Sequence, residues 1–141
     1  MSLSKISIAH CEAMAALHAV SFDEPWTEHA FYKLVKLPTT IGWIDENGFI
    51  LCSHILDEME IMTLCTHPNQ RRQGYGQLLL NQLFEYATTH QVKNIFLEVR
   101  ADNIPAQKLY EKMRFHTIGI RKGYYHTHTS QIDAVCMKKD I

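Results

Sequence analysis

The segment "MEIMTLCTHPNQRRQGYGQLLLNQLFEYATTHQVKNIFLEV", residues 59–99, constrains the fold of this chain more than any other stretch. It reads as an apolar strand stopped by Pro68, a basic loop with two glycines, an amphipathic helix, and a second strand that is almost wholly apolar. The helix buries Leu79, Leu83 and Tyr86 at helical spacing. Its loop gathers Arg71, Arg72, Gln73, Gly74, Tyr75, Gly76 and Gln77 at the helix start. A helix N-terminus leaves about four N–H groups unbonded and carries roughly half a positive charge, so it is a natural anion site. The arginines raise that potential, and the glycines remove side chains that would hold a phosphate away from the backbone. The loop lacks the Gly-Lys-Ser/Thr of a Walker loop and the third glycine of the dinucleotide fingerprint. It reads as a pyrophosphate cradle, with a plain strand-to-helix turn as the alternative.

The other segments supply a sheet and more helices. "KISIA" (residues 5–9) alternates like a short strand, and residues 11–22 have helical spacing at Met14, Leu17 and His18. A second helix opens near Pro25, has Ala30, Phe31 and Leu34 as its apolar stripe, and ends at Pro38. "TIGWIDENGFILCSHIL" is a hairpin turning at Glu46-Asn47-Gly48. After the strand "NIFLEV" come a helix over 104–113, a strand from Phe115 and a last strand, "QIDAVCMK". The order β-α-α-β-β-β-α-β-α-β-β describes a mixed sheet with helices packed on it, an α/β or α+β fold.

Composition narrows the class. A chain of 141 residues and 16.4 kDa buries one proper core, so one domain over residues 1–141 is expected. No run approaches the roughly 18 apolar residues of a membrane span, and the polar N-terminus has no signal-peptide core, which suits a cytoplasmic protein. The four cysteines stand singly in apolar contexts, as small core residues do in a reducing compartment. The net charge of -1 hides an asymmetry: residues 1–70 hold three Lys/Arg against nine Asp/Glu, and residues 71–141 hold eleven against six. The C-terminal half therefore suits an anion and the N-terminal half a cation, unless both are merely solvated surfaces. Basic residues form no stripe interleaved with aromatics, so nucleic acid is not an expected partner. His126 and His128, two apart without a supporting ligand cluster, read as a solvated hairpin loop, and no metal is expected.

"RRQGYG", with Arg71, Gly74 and Gly76 in an R/Q-x-x-G-x-G/A pattern between a strand and a helix, resembles the acetyl-coenzyme A signature of the GNAT acetyltransferases. "SFDEPWTEHAF", "THPNQRRQGYGQLLL" and "IFLEVRADNIPAQKLYEKMRF" together resemble the branch that acetylates the N-terminal alanine of a ribosomal protein, the RimI type. The resemblance implies a mostly antiparallel mixed sheet whose splayed middle strands admit the pantetheine arm of acetyl-CoA. It also implies a pantetheine strand at Leu64, Cys65 and Thr66, a pyrophosphate loop at 72–77, and a cofactor contact from Asn103. One departure is clear: Met113-Arg114-Phe115 stands where the family usually has glycine before the last aromatic.

Acetyl transfer to an amine requires removal of the amine proton, stabilisation of the oxyanion and protonation of the leaving thiolate. Glu98 is the candidate base, since partial burial near the end of an apolar strand favours proton uptake, although it could equally be a rim carboxylate paired with Arg100. Tyr110 has the helical spacing of a core aromatic, and the resemblance makes it the acid that protonates the thiolate. A strand N–H around Cys65 or Thr66 would hold the oxyanion. Cys65 as a nucleophile lacks an orienting histidine beyond His67. The activity implied is transfer from acetyl-CoA to a protein N-terminal α-amino group, with a ribosomal protein among the acceptors. A small-molecule amine and a non-catalytic acyl-CoA-binding module are the alternatives, and the module would need neither Glu98 nor Tyr110.

Overall fold

The computed structural model describes residues 3–71 and 73–141. Seven strands form one sheet in the order β1-β2-β3-β4-β5-β7-β6: β1 Ser4–Lys5, β2 Thr40–Asp45, β3 Gly48–Ile55, β4 Glu58–Thr66, β5 Asn94–Arg100, β6 His116–His126 and β7 Gln131–Asp140. All neighbours pair antiparallel except β4 and β5, which are parallel because the 15-residue helix α3, Tyr75–Thr89, carries the chain back between them. The expected mixed, mostly antiparallel sheet flanked by helices is what forms.

Helices cover the sheet unequally. Helix α3 and helix α4, Ile104–Lys112, lie on one face, where Leu79, Leu80, Leu83 and Ala87 meet Ile95, Leu97 and Val99 of β5. Helices α1, Cys11–Ser21, and α2, Glu28–Val35, lie on the other face with Ile44, Phe49, Leu51 and Cys65. This second layer ends at β4. The remaining face of β5 alternates with the buried one and presents Phe96, Glu98 and Arg100 half-exposed, the pattern of a sheet packed on one side only. Tyr86 is half-buried, its hydroxyl 2.8 Å from His54 Nδ1, so Leu80 and Ala87 complete the α3 stripe in its place.

Two local expectations are corrected. The strand expected over 5–9 stops at Lys5, because the Ser7 N–H donates to His10 Nδ1 at 2.9 Å and the chain turns into a 3-10 segment at Ile8–His10. The hairpin turn is the pair Glu46-Asn47, since Gly48 already pairs with Asp45, whose Oδ1 accepts from the N–H groups of Asn47 and Gly48. A bulge at Met62, between the pairs Leu51↔Thr63 and Cys52↔Ile61, reverses the alternation of β4. Ile61 therefore enters the α3–α4 core, whereas Cys65 enters the α1–α2 core and Thr63 meets His18 of α1.

His18, 3% exposed, ties the second layer to that strand. Its Nδ1 accepts from the Trp26 N–H at 2.9 Å, so the neutral ring keeps its proton on Nε2 and donates it to Thr63 Oγ1 at 3.1 Å. Burial holds its pKa down at about 4, so the neutral tautomer persists through the physiological range.

The departure at Arg114 has a clear geometry. Arg114 adopts φ +73° just after α4, and the Phe115 N–H donates back to the Tyr110 carbonyl at 2.9 Å, closing the helix in a left-handed cap. An arginine thus takes the conformation that glycine adopts without steric cost. Arg114→Gly should stabilise the protein by about 1 kcal/mol, read from urea denaturation at constant m-value. Lower stability in that variant would contradict this reading of the cap.

Candidate active site

The parallel pairing of β4 with β5 runs from Glu58↔Asn94 to Ile61↔Leu97 and then stops, although β4 continues to Thr66 and β5 to Arg100. Past that point the two central strands separate and leave a gap. The His67 N–H donates to the Asn47 carbonyl at 2.7 Å on the β3 side. By the alternation of an antiparallel ladder, Cys65 also turns its backbone toward β3, while Leu64 and Thr66 turn theirs toward the gap. The Cys65 side chain is buried in the α1–α2 core, and that burial pushes its thiol pKa up, which suits packing and not nucleophilic attack.

The loop that follows approaches the same end of β4. Gly74 caps α3 at φ +82°, and a Cβ there would meet nothing within 4 Å, so the backbone in front of the helix is open. Gly76 is glycine for another reason: a Cβ on it would lie 2.6 Å from Leu109 Cδ2, so its bareness lets α3 approach α4. Arg71 donates from Nη2 to the Ser21 carbonyl at 3.2 Å and ties the loop to the end of α1. Gln73 reaches the Asn69 carbonyl at 3.5 Å, and the Tyr75 hydroxyl accepts from Asn47 Nδ2 at 2.8 Å. Gln77 sits half-exposed in the first turn, and Arg72 lies outside the described residues. Asn103 caps α4 by accepting the Ala106 N–H on Oδ1 at 3.2 Å. These groups suit a diphosphate ester with a thin amide arm: an open anion-binding helix start adjoins a gap bordered by strand backbone beyond the last β4–β5 pair.

Glu98 and Tyr110 stand on opposite faces of the sheet, Glu98 one residue past the last β4–β5 pair and Tyr110 in the α3–α4 core. Glu98 is on the open face, its side chain 25% exposed, and shares Arg121 Nη1 between its oxygens at 3.0 and 3.3 Å. The rim partner expected for it was Arg100, but Arg100 turns to Asp102, which it grips at 2.8 and 3.0 Å. Tyr110 is 7% exposed on the α4 side, edge-on to Phe115. Its hydroxyl has no hydrogen bond among the described residues, where Asp45 Oδ2 is the one fully buried side-chain polar atom without a partner. The phenol oxygen of Tyr110 therefore reaches accessible space. Burial, then the neighbouring Cys52 and Tyr125, push its pKa above the ordinary phenol range.

Two residues near this site carry no sequence signal of their own. Arg121 is one, placed against Glu98 only by the pairing of β6 with β7, which itself pairs with β5. Tyr125 is the other: burial and the Glu98 carboxylate raise its pKa to about 12, and it contributes in turn to the rise at Tyr110. Its position in "GYYHTHT" looks like hairpin polarity until β6 is threaded. His126 ends β6 and His128 lies in the exposed turn after it; among the described residues no group of three or more His, Cys, Asp or Glu could hold a metal ion.

Residues 11–115 match the Acetyltransferase (GNAT) family. The chain is a GNAT acetyltransferase. Its activity is acetyl-CoA-dependent acetyl transfer. Among its relatives is the [ribosomal protein bS18]-alanine N-acetyltransferase of Escherichia coli strain K12, 32% identical over 121 residues, which cover 83% of this chain and 82% of that one. A putative enzyme of the same description from Bacillus subtilis strain 168 is 32% identical over 115 residues, 77% of this chain and 76% of that one. The crystal structure of the ribosomal-protein-S18-alanine N-acetyltransferase from Escherichia coli superposes with a TM-score of 0.92 at 27% identity, covering 99% of this chain and 93% of that one. This GNAT chain thus closely resembles the RimI type along nearly its whole length. No helix among the described residues is long and apolar enough to cross a membrane.

Proposed function

We propose that the protein transfers the acetyl group of acetyl-CoA to the α-amino group of a polypeptide N-terminus in the cytoplasm, as one domain, with a ribosomal protein as a fitting acceptor. The observation that carries this reading is the arrangement of Glu98 and Tyr110 on opposite faces of the gap between β4 and β5. An amine reaching the gap from the open face meets the Glu98 carboxylate. A leaving group on the far side meets the Tyr110 hydroxyl. The 32% identity with bS18-alanine N-acetyltransferases supports the choice of acceptor.

Each group then has a task. Glu98 accepts the amine proton, directly or through water; an α-amine with a pKa of about 8 yields it more readily than a lysine at about 10.4. Arg121 holds the carboxylate in place on the open face. The backbone N–H of Leu64 or Thr66, facing the gap, is placed to steady the negative charge that develops on the carbonyl oxygen, a refinement of the expected Cys65 or Thr66. Acetyl-CoA supplies the activated thioester. Tyr110 keeps its proton across the working pH range and presents it to the departing sulfur. A thiolate in the same dry surroundings is driven to higher basicity too, as burial drives the Cys52 thiol up, so donor and acceptor stay matched. The α3 start and residues 73–77, with Arg71 and Arg72 adding charge and Asn103 at the α4 start, bind the pyrophosphate end.

Gly74→Val tests the loop directly. A β-branched residue is strained at φ +82°, and its side chain would occupy the open approach to the helix start. Acetyl-CoA affinity should fall at least ten-fold, on the order of 1.4 kcal/mol. Unchanged affinity by calorimetry in the folded variant would remove the loop from the binding site.

The choice of acceptor is tested by following release of the CoA thiol with a peptide N-terminus and with a small polyamine. A higher kcat/KM for the peptide supports the reading, and preference for the polyamine assigns the enzyme to small-molecule acetylation.

A further inference from the structure

Next to Glu98 the open sheet face is hollowed into a groove of about 570 Å³ that the chemistry above uses only at one end. Ile55 and Ile118 line it, 58% and 52% exposed, together with Phe96, Glu58 and Glu60. Apolar side chains left in water on either side of carboxylates mark a surface suited to a partner. Neither Glu58 nor Glu60 has an ion pair or side-chain hydrogen bond among the described residues. Among the described residues the one cation lining the groove is Arg121, which is committed to Glu98 and stacks on the Tyr124 ring at 4.1 Å. Lys138 borders it over Phe96, 5.9 Å from the ring centroid, with Asp140 as counter-ion at 3.3 Å. The groove therefore offers uncompensated negative charge next to an aromatic ring, which is a setting for a lysine or arginine side chain.

We propose that this groove receives a basic side chain of the acceptor polypeptide, two to four residues beyond the amine that is acetylated. The inference rests on Glu98 marking the place of the amine. Glu60 pairs with Phe96, and Glu98 lies two residues further along β5. At about 3.3 Å per residue along a strand and about 4.8 Å between strands, Glu60 is roughly 8 Å from Glu98 at the backbone. An extended peptide covers that span in two to three residues, and Glu58 lies another two residues down the groove. Burial and the Glu98 carboxylate both raise the Glu60 pKa, as expected of a carboxylate awaiting a cation.

The test uses the full-length protein with CoA bound and two C-terminally labelled hexapeptides beginning with alanine, one with lysine at positions three to five and one with glutamine there. Fluorescence anisotropy should show the lysine peptide binding at least about ten-fold tighter. In Glu58→Gln/Glu60→Gln that preference should shrink to about two-fold or less while CoA affinity stays as in the parent. Glu60→Gln alone, a single change at an exposed position, serves if the double variant does not fold. Equal binding of the two peptides, or a preference that survives both variants, overturns the inference. A preference that disappears in the variants while no peptide is acetylated upholds the groove and refutes the α-amino reading instead.

Discussion

Glu98→Gln should lower turnover by roughly 10²–10⁴-fold while leaving acetyl-CoA affinity nearly unchanged. Glutamine keeps the shape of the side chain and a hydrogen-bonding oxygen toward Arg121, so the open face should stay assembled, but it cannot take a proton from the amine. The deficit should shrink as pH rises. At low pH nearly every acceptor amine is protonated and depends on the carboxylate; above its pKa of about 8 the free amine is present without help. The sign matters: a deficit that grows with pH, or full activity at neutral pH, would show that Glu98 is not the base. Stopped assays across pH, with acceptor saturating at each point, measure this.

Tyr110→Phe should also lower turnover, by roughly 10²-fold, but without rescue at high pH. The ring is buried and edge-on to Phe115, and its oxygen has no partner to abandon among the described residues, so phenylalanine should fit with little cost in stability. What disappears is the proton offered to the leaving sulfur. Because deprotonating the amine does not replace that proton, raising the pH should not restore the rate. The same pH profile in both variants would contradict the division of labour between the two faces of the gap. An acetyl thioester donor whose thiol has a low pKa sharpens the comparison, since a stabilised leaving thiolate needs the phenol less and should narrow the Tyr110→Phe deficit.

The fold was largely legible because its longest signals agree with one another. The strand, loop, helix and strand over 59–99 fix a parallel crossover, and the alternation in 40–56 fixes the hairpin beside it. What escaped were features that depend on one residue capturing another. His10 takes the Ser7 N–H and ends the first strand early, although the alternation of "KISIA" continues through it. The bulge at Met62 turns Cys65 into the α1–α2 core, and no local pattern announces an inserted residue in a run as apolar as "EIMTLC". Gly74 and Gly76 look alike in sequence, yet one supplies a left-handed backbone and the other makes room for Leu109.

The candidate site was legible to the extent that its groups sit on the β4–β5 unit and the helix after it. Arg121 and Tyr125 come from β6, a strand that joins the site by pairing with β7, itself paired with β5. Such a contact is non-local in the chain, and residues that look like ordinary strand polarity acquire their meaning only through register. Glu60 is similar. It is one of nine carboxylates in the first 70 residues, and only the parallel pairing with Phe96 brings it to the groove beside Glu98. The acidity of that half of the chain, read as suited to a cation, thereby acquires a place on the structure.

The central claim is the transfer of acetyl to a polypeptide α-amine, and localising the acetyl group tests it most directly. A peptide beginning with alanine and containing internal lysines is incubated with the enzyme and acetyl-CoA, then fragmented in a mass spectrometer. A single acetyl group on the alanine nitrogen is predicted, formed roughly 10²-fold or more slowly when Glu98→Gln replaces the parent at neutral pH. Acetyl on the lysine side chains, with the N-terminus left free, would contradict it.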